Sequence, residues 1–153
     1  MKRNIAISDR RQRGFTLNEL LVVIAIISLL GMLGYPSYLD YVTRANRSAA
    51  KSLLLQIADR QEQFFADNKR YAGDLLELGY EGAAFPIDKQ GATVAPSSTD
   101  RLYAIALSGT SATTYTANAV PLLGQATHDA DCGALTLTHV GVKGQSGVAM
   151  NCW

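Results

Sequence analysis

The sequence predicts an α+β protein in which one long N-terminal helix packs on a small antiparallel β-sheet. Three observations carry that prediction: an uncharged apolar run, a helical period that continues past it, and a change to period two near residue 102. Leu20 to Leu39 contains no charged side chain, about 20 residues, enough as a helix to cross the roughly 30 Å hydrocarbon core of a bilayer. One carboxylate, Glu19, stands at its mouth. An acid at the centre of a membrane helix costs about 2.5–3.5 kcal/mol, and less near an interface. Glu19 therefore calls for a partner that lipid does not supply.

Ahead of the run, Lys2, Arg3, Arg10, Arg11 and Arg13 face the single acid Asp9. Positive charge flanking a membrane segment stays in the cytoplasm, so the N-terminus is expected inside and the rest across the membrane. An ordinary secretory signal is cut after its apolar core at a small residue. Here the core runs into Tyr35-Pro36-Ser37-Tyr38, and the small residue beside charge is Gly14, before the core. Within the run, Gly31, Gly34 and Pro36 weaken the helix, since proline removes a backbone hydrogen bond and glycine loosens the chain. A kink or a locally meltable stretch is expected over 31–36.

Beyond the kink the helix becomes amphipathic. Ala50, Leu53, Leu54, Ile57, Gln61, Phe64 and Phe65 recur at three- and four-residue spacing, with Arg47, Lys51, Asp59, Arg60 and Glu62 mostly on other faces. The helix should end near Asp67-Asn68, because asparagine suits a helix C-terminus. From Phe15 to Asp67 it would measure roughly 80 Å, too long for one compact core to absorb. Residues 69–100 read as an irregular connector with a short turn at Asp74–Tyr80 and a Gly/Ala/Pro/Ser-rich loop.

Then alternation begins. Leu102–Leu107 and Thr113–Val120 form a hairpin pattern around Ser108-Gly109-Thr110-Ser111-Ala112, and Ala134–Val140 is a third strand closed by Gly141. Three strands are the minimum, with room for a fourth near the C-terminus. About 100 residues suffice for one core if the sheet packs on the amphipathic half of the helix.

Gly14-Phe15-Thr16-Leu17-Asn18-Glu19-Leu20 resembles the processing site of type IV prepilins and their secretion-system relatives. Asn18 departs from the branched apolar residue more usual there. The resemblance implies a leader, residues 1–14, cut after Gly14 by a prepilin peptidase that then N-methylates Phe15. It also implies a retained membrane or filament-core helix over 15–39, and a domain over 40–153 holding the amphipathic half and the β-part. Glu19, fifth in the mature chain, is expected to pair with the N-terminal amine of a neighbouring subunit, and Pro36 to mark the segment that unwinds on assembly. A plain signal anchor with an incidental acid is the alternative. Loss of the leader removes five bases and one acid, taking the formal charge from +1 to −3; that balance does not favour bulk polyanion binding.

Cys132 and Cys152 are the two cysteines, both on the segment expected outside the cytoplasm. An even pair in an oxidising compartment reads as a disulfide. A metal site is the rival, with His128 and His139 in no recognised ligand spacing. Asp131-Cys132-Gly133 and Cys152-Trp153 also resemble the C-terminal disulfide-bounded loop of type IV pilins, minor pilins more than long major subunits. His128-Asp129-Ala130-Asp131 offers two carboxylates where Ca²⁺ needs six to eight oxygens, so it reads as a solvated loop. Asn46-Arg47-Ser48, a glycosylation sequon, lies mid-helix and reads as accidental. Arg44, Arg47 and Lys51 could form a phosphate-binding stripe or cross an outer headgroup zone, with no aromatic residue interleaved. Tyr103 and Tyr115 read as sheet packing.

The function expected is a structural, non-enzymatic, cofactor-free subunit of a type IV pilus, supporting adhesion or twitching motility. Its implied partners are other pilins, the prepilin peptidase, an assembly platform with its ATPase, and the inner membrane, from which it passes to an extracellular pilus. A DNA-binding competence pilin, a type II secretion pseudopilin and a membrane-anchored hydrolase are the alternatives; the cysteine pair argues against the pseudopilin, and no nucleophile-elbow pattern supports the hydrolase.

Overall fold

A computed structural model describes residues 14–153, apart from the side chain of Leu33, so the basic leader lies outside the described residues. Helix α1 (Leu17–Asn68) is followed by β1 (Ala84–Ile87), β2 (Tyr103–Ser108), β3 (Thr116–Pro121), α2 (Leu123–His128), β4 (Leu135–Thr138) and β5 (Lys143–Gln145). The chain divides into two compact units, one ending at Ser37 and one running from Tyr38 to Trp153.

In the first unit, α1 is helical through Gly31, Gly34 and Pro36, and its described apolar side chains are exposed. Apolar exposure along a whole helix is what a lipid or helix-bundle environment requires.

The second unit is built by two periodicities meeting. On α1, Ala50, Leu53, Leu54, Ile57 and Gln61 are buried at helical spacing. On the sheet, Tyr103 and Ile105, Ala117 and Ala119, and Leu135 and Leu137 are buried at alternate positions. The sheet is antiparallel in the order β1-β2-β3-β4-β5, with Ile105 opposite Ala119 and Ala119 opposite Leu135. These form one core.

Fully buried Gln61 reads in sequence as one more member of the apolar stripe, yet it does polar work. Its side chain donates to the Ala72 carbonyl at 3.2 Å and accepts from the Ala72 N–H at 2.9 Å. That satisfies the amide inside the core and ties the chain leaving α1 back onto it. Helix α1 ends at Asn68, as the sequence suggests, and Lys69 takes the left-handed conformation (φ 55°) just beyond it.

Several sequence expectations need correction. The connector over 69–100 contains β1, whose Pro86 interrupts any strand pattern but is tolerated because β1 is an edge strand. The second hairpin strand starts at Thr116 rather than Thr113, since Ser111, Thr113 and Thr114 form a hydrogen-bonded turn. The sheet has five strands, and α2, unforeseen, lies between the third and fourth.

Candidate functional site

The N-terminal end of α1 carries the residues that the sequence singles out first. Gly14, Phe15 and Thr16 precede the helix, and all are exposed. Thr16 caps it: its hydroxyl accepts the Glu19 N–H at 3.2 Å, and Glu19 Oε2 accepts the Thr16 N–H at 2.9 Å and the Thr16 hydroxyl at 3.0 Å. This is a reciprocal capping box, in which a Thr and a Glu three residues on satisfy helix N–H groups that have no other partner. The Thr-x-x-Glu spacing is in the sequence and announces it. Among the described residues, nothing lies within 4 Å of where a Cβ on Gly14 would sit, and Phe15 is among the most exposed apolar residues.

At the other end of the chain, Cys132 and Cys152 form a disulfide, with a Cα–Cα distance of 5.5 Å. The loop that they close is cross-braced by backbone bonds from Ser146 to Ala134, Gly147 to Cys132 and Ala149 to Asp131. Gly147 is required by contact, because a Cβ there would collide with the Asp131 carbonyl. Next to the bridge, the Trp153 indole donates to the Gly144 carbonyl at 2.7 Å, and the Lys143 ammonium lies 5.4 Å from the Trp153 ring centroid. Lys51 of α1 is within electrostatic reach of Lys143. Burial, and then the positive charges of Arg47 and Lys143, hold its pKa below the usual lysine range.

The second unit also holds a buried polar cluster. Asp129, 2 % exposed, takes a bidentate ion pair from Arg47, one bond at 3.0 Å. It also accepts from the Tyr103 hydroxyl at 2.7 Å and the Gln125 amide at 3.2 Å. Gln125 in turn donates to the Thr43 carbonyl and accepts from Asn46. Burial, followed by the Asp129 carboxylate, pushes the Tyr103 phenol well above its ordinary range. So Asp129 is not in a solvated loop, and Arg47 is not part of a surface stripe. Asp131 and His128 are exposed as expected. Asn46, on α1, donates its side-chain amide to Gln125 of α2 at 3.0 Å and stands as a packing residue. Tyr103 and Tyr115 are buried in the sheet, in line with a packing role.

A model of the prokaryotic N-terminal methylation motif matches residues 9–35. A second, described as type IV minor pilin ComP, DNA uptake sequence receptor, matches residues 36–136. The chain belongs to this minor pilin family. No curated protein matches it. Together the two matches cover the apolar helix and most of the β-part of this minor pilin, whose family is structural rather than enzymatic. The second match stops short of Cys152 and Trp153, so the bridge and the indole–lysine contact rest on the structure itself.

Proposed function

We propose that this type IV pilus subunit acts as a DNA receptor, contacting duplex DNA at the Lys51–Lys143–Trp153 end of its β-part. The description of its family as a DNA uptake sequence receptor supports the reading. The observation that carries it is the Lys143–Trp153 pair, whose lysine charge also reaches Lys51. A phosphate-binding cation and an aromatic plane are the two elements that nucleic-acid contact uses, and in sequence no aromatic residue accompanies Lys51. The expected mature charge is −3, so binding would rest on this local patch and on few phosphates.

Before display, the chain is processed and assembled. A prepilin peptidase cleaves after Gly14 and methylates Phe15; the exposed, non-helical position of both supports access by an enzyme. The apolar half of α1 holds the chain in the inner membrane with its N-terminus cytoplasmic, until an assembly platform and its ATPase add it to the pilus beside other pilins. Glu19 pairs with the amine of a neighbour, and the Pro36 region is where the helix yields. No cofactor takes part.

Salt-dependent binding of duplex DNA by the purified full chain tests the receptor reading. Two or three phosphate contacts give a slope of log K against log salt of about −2 to −3, and Lys143→Gln should make it shallower by about 1. Absence of binding at low salt, or a slope unchanged by Lys143→Gln and Lys51→Gln, would remove the DNA role and leave a pilus subunit.

A further inference from the structure

Three cations that lie within two turns in sequence have separate fates in the structure. Arg47 is committed to Asp129, and Lys51 feels the positive charge of Lys143. Arg44 remains exposed and pairs with no carboxylate among the described residues. Three residues before it is Tyr41, and three before that is Tyr38, 67 % and 64 % exposed. Residues three apart follow one another on neighbouring turns of a helix. An exposed aromatic–aromatic–guanidinium strip therefore begins where the uncharged run stops.

We propose that Tyr38, Tyr41 and Arg44 form an interfacial anchor that engages the outer phospholipid headgroups of the membrane and fixes the depth of the subunit before assembly. The proposal rests on the membrane reading of the apolar half of α1. The occupant follows from position. If the hydrocarbon ends near Leu39, Arg44 lies about 7.5 Å further along the axis at 1.5 Å per residue. The headgroup layer on one side of a bilayer is about 5–7 Å deep, so Arg44 falls at its outer boundary. Lys51, about 18 Å beyond Leu39, is well clear of it.

Each side chain suits its level. A tyrosine ring is apolar with a polar tip, and such rings collect at the membrane–water boundary. The guanidinium has a long apolar stem and grips phosphate oxygens in pairs. Asp40, four residues before Arg44, is its neighbour on the next turn, and Asp131 lines the same recess, yet neither makes an ion pair with Arg44 among the described residues. Phosphates of DNA offer the same oxygens, and the test separates the two.

The full processed chain is reconstituted into vesicles of phosphatidylcholine and phosphatidylglycerol, and flotation is scored first. If the chain does not float, the membrane reading itself fails and the anchor falls with it. For the chain that floats, Tyr41→Trp and Tyr38→Trp are each made with Trp153→Phe, and the new indole is quenched with lipids brominated at shallow or deep acyl positions. At an interface, shallow bromines should quench at least about twofold more strongly than deep ones, and Arg44→Gln should erode that preference. Quenching by aqueous iodide but by no brominated lipid, or quenching strongest with deep bromines, overturns the proposal. So does an Arg44→Gln chain that keeps its depth profile but captures duplex DNA as poorly as Lys51→Gln.

Discussion

Arg47 and Asp129, 82 positions apart in sequence, meet as a buried bidentate ion pair between α1 and the end of α2. The carboxylate is also bonded by Tyr103 and Gln125, so one acid gathers α1, β2 and α2. A desolvated pair of this kind costs little net stability when complete, and a great deal when halved.

Halving it is therefore the first prediction. Asp129→Ala should destabilise the β-part by about 3–5 kcal/mol, because Arg47 is left buried without its counter-ion. The double variant Arg47→Met with Asp129→Leu should recover much of that loss. Denaturant melts of the unaltered chain, the single variants Arg47→Met and Asp129→Leu, and the double variant decide it. Additive losses would mean that the pair is not coupled.

The Cys132–Cys152 bridge closes a loop with a sequence separation of 20. In the chain-entropy model that constrains the unfolded state by about 3 kcal/mol. Replacing both cysteines by serine should lower stability by about that amount, and should free Trp153 from Gly144 and Lys143. The indole reports the second effect directly: its emission should shift toward that of a solvated tryptophan while the sheet signal persists at low temperature. Loss of stability with an unmoved indole would separate the bridge from the proposed DNA end.

Much of this architecture is legible in the sequence because it is periodic. The stripe from Ala50 to Gln61 and the alternation through Tyr103–Leu107 each declare an element and its inward face. What escapes is short or distant. Four-residue β1 has Pro86 inside it, and six-residue α2 is too brief to show a period. Asp129 looks solvated until Arg47 arrives from another part of the chain, and the same event removes Arg47 from the apparent basic stripe. At the N-terminal site, the motif names Gly14, Phe15 and Glu19, and the Thr-x-x-Glu spacing already signals the bond between Glu19 and Thr16. Trp153 is adjacent to Cys152 in sequence, but its nearness to Lys143 depends on β5 lying beside the C-terminus.

Acid offers a third prediction, at the turn after α1. Bonds from Arg70 and from the Gly73 N–H lower the Glu77 pKa to about 2. A carboxyl with a depressed folded pKa contributes stability that is present above its unfolded value and lost as pH falls through its folded one. The turn over 70–79 should thus loosen as pH drops from about 4.5 to about 2. The Glu77 carboxyl followed by NMR should titrate near the bottom of that window, and Arg70→Gln should move its midpoint up. A midpoint in the ordinary glutamate range for the unaltered chain would show that these bonds do not persist in solution. Because the group is exposed, the effect on global stability should be small.

The last prediction concerns Glu19 and its two claims on a hydrogen-bond partner. In the single chain its carboxylate is bonded by the Thr16 N–H and hydroxyl. On assembly, the amine of a neighbour's Phe15 would bring a full positive charge into surroundings poor in water, where an ion pair outweighs bonds to neutral donors. Thr16 would then hold the carboxylate in position rather than compete to the end. Glu19→Val should leave the chain inserted in the membrane but sharply depleted from sheared pili, since one charge of the expected pair is gone. Thr16→Val keeps the charge and removes the hydroxyl, so depletion should be partial. Quantifying the subunit in membrane and pilus fractions distinguishes the two: equal pilus content for Glu19→Val and the unaltered chain would end the pairing role, whereas equal loss in both variants would make the cap itself the requirement.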